Sequence, residues 1–262
     1  MIEPELSFAV VIPVYNGEAF IVKAIESCLQ QTVLPNEIIV IDDASNDNTA
    51  AMIHSLNSAL VRYQHNRQNS GPSFSRNFGM QLASSAWIVF LDADDIFHPQ
   101  KIEFIRFCIE TNNGIRAIGH SFGIINDQRP LLTERWQQSL PKLTFLTADN
   151  VLLKNPVVSP ALAVSSENRV FFNEQMAYAE DHDFILRTAE KYGIYFLNMP
   201  LCSLQRRSLT PGGTSSNKWK MRKGEMKMYI DYCKRHKMYP AIPFFLLFSL
   251  VKHMRNMIFL PK

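Results

Sequence analysis

The chain has 262 residues, enough for one large α/β domain or one domain with an appendage. Its apolar content of 47% is that of an ordinary globular protein and excludes disordered and fibrous classes. The net charge of +3 is unevenly placed: from Lys218 onward eleven Lys and Arg face two acids, about +9, which leaves about −6 on the preceding chain.

The first half alternates apolar strands with helical patterns. Phe8–Pro13 is a β-branched apolar run, closed by Asn16-Gly17. Phe20, Ile21, Ala24, Cys28 and Leu29 then recur at helical spacing. Glu37–Ile41 reads as a second buried strand ending in Asp42-Asp43, with Ser45 or Asp47 placed to cap a helix carrying Met52, Ile53 and Leu56. A third strand is expected near Leu60–Gln64. Ser70–Ser73 turns into a helix carrying Phe74, Phe78 and Leu82, and Trp87–Leu91 follows as the fourth strand. Such an order predicts a mostly parallel central sheet with helices on both faces.

The second half is less regular. Strands are expected at Ile115–Ile118, Phe122–Ile125, Val157–Val164 and Ile194–Asn198, with a helix over Glu180–Tyr192 that turns Phe184, Ile185 and Ala189 inward. Pro211-Gly212-Gly213 predicts a flexible loop. A basic helix, about Asn217–Arg235, and an apolar one, about Pro243–Ile258, complete the chain.

Four cysteines, at 28, 108, 202 and 233, form no CxxC pair and read as buried thiols of a reducing compartment. MIEPELSF lacks the basic region and apolar core of a secretory leader, and the apolar Ala241–Val251 stretch is too short to span a bilayer. A cytoplasmic protein is expected, with no nucleic-acid partner. The basic tail leaves two readings open. One is an interfacial helix resting peripherally on an anionic inner membrane face. The other is a helix pair closing one side of the core.

Ligands of parallel sheets bind outside the carboxyl ends of the strands. Val14-Tyr15-Asn16, Asp42-Asp43 and Asp92/Asp94/Asp95 all fall at such ends. Asp92-x-Asp94 offers hard oxygen donors, and Mg²⁺ or Mn²⁺ favours one or two carboxylates completed by phosphate oxygens and water. Asp181-His182-Asp183 invites a metal reading too, but adjacent residues of a helix point apart. Trp136 and Trp219 either stack on sugar rings or cover apolar surface.

VIPVYN (11–16), IVIDDASNDNT (39–49), NSGPSFSRN (69–77), VFLDADD (89–95) and AEDHDF (179–184), in this order and at these separations, resemble the family 2 glycosyltransferases over roughly residues 6–205. The resemblance implies the α/β GT-A fold over residues 1–210, with a nucleotide-sugar half of about 1–98 and an acceptor half of about 99–210. Residues 211–262 would form a basic and apolar helical C-terminal extension. It implies an inverting transfer from a nucleotide-sugar, UDP-linked above all, to a hydroxyl of a glycan or lipid-linked acceptor, in bacterial-type cell-surface polysaccharide or glycolipid synthesis. Pro13, Val14 and Tyr15 would line the nucleotide pocket and Asp43 would read the uracil ring. Arg76 would neighbour the diphosphate, Asp92 would serve ribose and metal, and Asp94 would bind Mn²⁺ or Mg²⁺ directly. Asp181 would be the general base, and Asp95 would brace the loop by hydrogen bonding.

Two departures stand out. Ala44 replaces the usual glycine after the Asp pair, and QRRSLTPGG matches the family's Arg-rich segment only loosely, which leaves Arg206 and Arg207 open as phosphate clamps. Two rival readings remain. VFLDADDIF also resembles the nucleophile strand of haloacid-dehalogenase-type phosphatases, with Asp92 as nucleophile, and a non-catalytic GT-A relative would keep the fold without turnover.

Overall fold

The computed structural model describes residues 6–124, 142–167, 170–205 and 217–259, with side chains of the last segment described to Arg255. Trp136, Arg206, Arg207 and the Pro211-Gly212-Gly213 loop lie outside the described residues.

β1 (Phe8–Val14), α1 (Ile21–Leu29), β2 (Glu37–Asp42), α2 (Thr49–Ser55), β3 (Val61–His65), α3 (Gly71–Leu82) and β4 (Trp87–Phe90) follow the expected alternation. β2 and β4 are buried along their whole length, which is why Ile38–Ile41 and Trp87–Phe90 are unbroken apolar runs. α1 buries Ile21, Ala24, Ile25 and Cys28, one stripe at helical spacing. On β2, Ile38 and Val40 join the main core while Ile39 and Ile41 face the other side, under Phe78 and Leu82 of α3. α3 buries Ser73, Ser75, Arg76, Asn77, Gly79 and Met80. A Cβ on Gly79 would collide with Val11, so only glycine lets α3 lie this close to β1.

The remaining elements are β5 (Ile96–Phe97), α4 (Lys101–Thr111), β6 (Ala117–Ile124), β7 (Leu143–Leu146), α5 (Ala148–Leu152), β8 (Leu162–Ser165), α6 (Glu180–Tyr192), β9 (Ile194–Leu204), α7 (Lys218–Arg235) and α8 (Ile242–Phe259). The sheet has nine strands in the order β3-β2-β1-β4-β8-β6-β9-β5, with β7 on β9. β1, β2, β3, β4, β6 and β9 run in one direction, so the sheet is mostly parallel. This matches the GT-A expectation, with helices at the C-terminus.

Three strand boundaries differ from expectation. Ile115–Ile118 and Phe122–Ile125 merge into β6, because a register shift at His120–Phe122 absorbs the break between them. β9 continues past Asn198 to Leu204; the same irregularity accommodates Pro200, which has no N–H to give a regular ladder. Val157–Val164 is strand only from Leu162, because Ser159–Ala161 makes a 3₁₀ turn.

α7 and α8 form an antiparallel hairpin. Tyr229 stacks on Phe245 at 5.1 Å, and Trp219 meets His253 at 5.2 Å. Between them Glu225 accepts from Ser249 at 2.7 Å and Lys252 at 2.6 Å, and pairs with Arg222. Burying that carboxylate is tolerable because every oxygen is met by a cation or hydroxyl.

Candidate active site

The carboxyl ends of β1, β2 and β4 open on one cavity of about 650 Å³. Pro13, Val14, Tyr15, Asp43, Arg76, Asp92, Asp94 and Asp181 all line it, so the chain brings together these eight residues nominated from its sequence. Its floor is stitched between two loops. Asn16 N–H donates to Ser45 Oγ at 2.9 Å, Gly17 N–H to Thr49 Oγ1 at 2.8 Å, and Asn46 N–H to Asn16 Oδ1 at 2.8 Å. Asp47 accepts from the Thr49 N–H at 3.0 Å and Ser45 from the Asn16 N–H, but the N-cap position of α2 is Asn48, so neither expected residue is the cap.

Asp42 and Asp43 have separate tasks. Asp42 is buried and accepts from Tyr63 Oη at 2.7 Å and Ser45 N–H at 2.8 Å, which makes it structural. Asp43 faces the cavity and accepts from Asn66 Nδ2 at 2.8 Å, Ser70 N–H at 2.9 Å and Gly71 N–H at 2.7 Å. Three of its roughly four lone-pair sites are thereby used in holding the start of α3. Ala44, next along, adopts φ 64°, the left-handed region that glycine takes without cost.

Arg76, 5% exposed, is the electrostatic hub. Its Nη2 meets Asp92 Oδ1 at 2.6 Å, its Nη1 meets Glu180 Oε1 at 3.4 Å, and its guanidinium lies 5.2 Å over the Phe172 ring. Burial works against its charge, but Asp92, Glu180 and Asp181 outweigh that and push its pKa up. Glu180 moves the opposite way from an ordinary carboxylate. Burial, then the Asp181 charge, push it up to about 7, with Arg76 partly restraining the shift.

Asp95 comes out as a brace. Its Oδ1 accepts from the Gln205 N–H at 2.8 Å, tying the β4 loop to the end of β9. Burial first, then Asp92 and Asp94, push its carboxyl up to about 8, against the pull of Gln205 and Lys101. Behind it Lys101 is fully buried, donates to the Pro160 carbonyl, and sits 3.6 Å from the Phe97 ring centre. Sequence reasoning did not reach Lys101, because a lysine on an apolar helix looks like a solvated one.

Asp181 lies in the first turn of α6 and accepts from the His182 N–H at 2.7 Å. The residue before this helix, Ala179, adopts φ 58°, so a strained turn presents the Glu180-Asp181 pair to the cavity. His182 turns away to bond the Val151 carbonyl at 2.7 Å, and Asp183 pairs with Arg187 at 2.7 Å. Asp181, His182 and Asp183 therefore serve three different neighbours, as expected.

The far wall is made of Val158, Ser159, Pro160, Tyr178, Leu204 and Met221. None carries a motif, and Met221 comes from α7, so among the described residues the C-terminal hairpin reaches the cavity through Met221. Trp219, 46% exposed at the start of α7, packs on His253.

Among the described residues, Asp43, Asp92, Asp94, Asp95, Glu180 and Asp181 line the cavity against Arg76 as the one cationic side chain. No group of three or more His, Cys, Asp or Glu among the described residues forms a ready metal cage. Two aspartates on one loop, with no sulfur or imidazole, suit a hard cation that brings its remaining oxygen ligands with it. The residues present thus fit Mn²⁺ or Mg²⁺ held by Asp92 and Asp94 together with phosphate oxygens.

A family model for glycosyl transferase family 2 matches residues 9–165. The chain belongs to this family. It is 26% identical to an uncharacterized glycosyltransferase of Haemophilus influenzae over 87% of this chain and 76% of that one. It is 28% identical to the Escherichia coli UDP-Glc:alpha-D-GlcNAc-diphosphoundecaprenol beta-1,3-glucosyltransferase WfgD, over 86% and 85%. The succinoglycan biosynthesis protein ExoO of Rhizobium meliloti is 30% identical over 72% of this chain, which spans only 54% of ExoO. Among solved structures, Staphylococcus aureus TarS with UDP-GlcNAc aligns at a TM-score of 0.68 and 20% identity, over 87% of this chain and 66% of TarS. A Pyrobaculum calidifontis mannosyltransferase with GDP-Man and Mn²⁺ aligns at 0.62 and 14%, over 97% and 76%. These neighbours share the GT-A fold. The family 2 glycosyltransferase thus has its Asp92 in a sugar-transfer fold, and the phosphatase reading of VFLDADDIF is set aside.

Proposed function

We propose that this glycosyltransferase moves a sugar from a UDP-sugar to a hydroxyl of a glycan or lipid-linked acceptor, with inversion at the anomeric carbon. The observation that carries the reading is the convergence of eight residues from five separate motifs on one cavity at the carboxyl ends of the strands. Pro13, Val14 and Tyr15 line the nucleotide side, with Asp43 beside them using its remaining lone pair on the base. The UDP assignment draws support from the UDP-Glc in WfgD's name and the UDP-GlcNAc bound to TarS.

Asp181 accepts the proton of the acceptor hydroxyl as that oxygen forms its bond to the anomeric carbon. The bond from that carbon to the diphosphate oxygen breaks in the same displacement, and its electron pair leaves with the nucleoside diphosphate. A single displacement needs no carboxylate nucleophile, which distinguishes it from retaining glycoside hydrolysis. Arg76 stands beside Asp92 where the diphosphate would lie, ready to exchange a carboxylate for phosphate oxygen. When bound at Asp92 and Asp94, Mn²⁺ or Mg²⁺ supplies Lewis-acid charge neutralisation for the leaving group. Six acids in the cavity explain why a cation has to accompany an anionic donor.

The buried free thiols Cys28, Cys108, Cys202 and Cys233 fit a reducing cytoplasm, and ExoO and WfgD support a role in surface polysaccharide or glycolipid synthesis. A thermal-shift panel of UDP-, GDP- and dTDP-sugars with Mn²⁺ tests the donor. A ligand bound only by the folded state raises its melting temperature by mass action. A UDP-selective shift is expected, and equal shifts from all three would overturn the Asp43 assignment.

A further inference from the structure

A buried polar atom without a hydrogen-bond partner is costly, so each one raises the question of what completes it. Among the described residues, two such atoms belong to side chains that line the cavity, Arg76 Nε and Ser159 Oγ. The Arg76 guanidinium already meets Asp92 and Glu180 through its other nitrogens. Ser159 has no such engagement. It is 3% exposed, and its hydroxyl, free to rotate as donor or acceptor, meets no protein group among the described residues.

The turn that carries Ser159 is otherwise satisfied and firmly held. Ala161 N–H donates to the Val158 carbonyl at 2.8 Å, Leu162 N–H to the Ser159 carbonyl, and the fully buried Lys101 to the Pro160 carbonyl. Pro160 fixes the backbone inside the turn. β8 begins directly after it and pairs with β4 on one side and β6 on the other. Lys101 is also close enough to Asp95, the brace of the β4 loop, for their charges to act on each other. One buried lysine therefore stands behind both the Ser159 turn and the loop of Asp92 and Asp94. The Ser159 hydroxyl is held on a rigid support beside the residues nominated for the donor.

We propose that Ser159 is a specificity-determining residue whose hydroxyl shares a hydrogen bond with a hydroxyl of the sugar being transferred. The inference rests on the sugar-transfer reading of the cavity. In that reading the anomeric carbon lies between the diphosphate, at Asp92 and Asp94, and the Asp181 carboxylate. The ring attached to that carbon needs a wall of its own. Val158, Pro160, Leu204 and Met221 supply apolar surface without a hydroxyl, which suits the carbon face of a pyranose. The Ser159 hydroxyl set among them reads one position of the ring. A site built to hydrogen-bond a substrate hydroxyl discriminates against a sugar that lacks it or points it elsewhere, because the buried partner is then left unpaired.

The test is calorimetric titration of the full chain and of Ser159→Ala, in Mn²⁺, with UDP, UDP-glucose, UDP-galactose and UDP-N-acetylglucosamine. The variant is expected to bind the best of the three sugars about three- to tenfold more weakly than the wild type, the share of one neutral hydrogen bond. Its affinity for UDP is expected to stay unchanged, and its preference among the three sugars to narrow. Removing an unpartnered hydroxyl takes no hydrogen bond from the ligand-free protein, so the melting temperature of the variant should equal or exceed that of the wild type. A lowered melting temperature, an equal loss for UDP and UDP-sugar, or unchanged UDP-sugar affinity would each overturn the assignment. UDP binding by both proteins with no difference between them toward any sugar removes this inference alone. Failure of the wild type to bind UDP or any of the sugars removes the sugar-transfer reading, and the inference with it.

Discussion

Ala44 holds φ 64° where an L-residue carries a cost of roughly 1–2 kcal/mol. Its neighbour Asp43 needs that bend to point back at Ser70 and Gly71. Ala44→Val adds a branched Cβ to the strained turn and is expected to lower stability by a further ~1–2 kcal/mol, read from urea midpoints at constant slope. Ala44→Gly is expected to stay within about 1 kcal/mol of the wild type, relief of strain offsetting the extra chain entropy. Glu180 gives a pH prediction. Its folded pKa, raised to about 7 from an ordinary 4.5, means that the folded state holds the proton longer than the unfolded one. This group's contribution therefore falls as pH rises from about 4.5 to 7, and its penalty is complete above that window. Glu180→Gln is expected to gain stability relative to wild type at pH 8 and to lose that gain by pH 4. A difference that does not change with pH would show Glu180 to be ordinary. At this scale the polar motifs were legible because strand ends gather them, whereas Tyr178, Lys101 and Met221 gave no signal, their roles depending on who packs beside them.

Close approach explains the elements. α3 can lie on β1 only because Gly79 leaves room for Val11, and Gly79→Ala is expected to cost about 1–3 kcal/mol by overpacking, read by thermal or urea unfolding. Gly224 of α7 does the same against the backbone of Tyr178, one residue before the left-handed Ala179. Gly224→Ala is expected to push α7 off the turn that carries Asp181. Turnover should fall about tenfold with donor affinity nearly unchanged, since misplacement of a reacting group weakens catalysis more than binding. Equal losses in both would mean that the helix supports the whole fold rather than the turn. The strongly periodic first half was legible through β4, and α6, α7 and α8 stood near their expected limits. β5, α4, β7 and α5 did not emerge, and β6 and β9 were cut short. Two-residue and four-residue strands have too little periodicity to read, and a bulge at Pro200 resembles a strand end until its partner is known.

Across the whole molecule charge is sorted by place. The cavity collects six carboxylates around Arg76, while exposed lysines gather on the C-terminal hairpin. Under the proposed function, local charge repulsion at the first place is offset when an anionic donor arrives there with a cation. Chelation of divalent metal is accordingly expected to abolish donor-induced stabilisation, and Mn²⁺ to restore it. The most direct measurement compares UDP-sugar binding with turnover for two variants in Mn²⁺. Asp181→Asn is expected to bind donor within about twofold of wild type and to lose ~10²–10⁴ in turnover, the usual share of a general base. Asp94→Ala is expected to lose both. Wild-type turnover in Asp181→Asn, or undiminished donor binding in Asp94→Ala, would contradict the account.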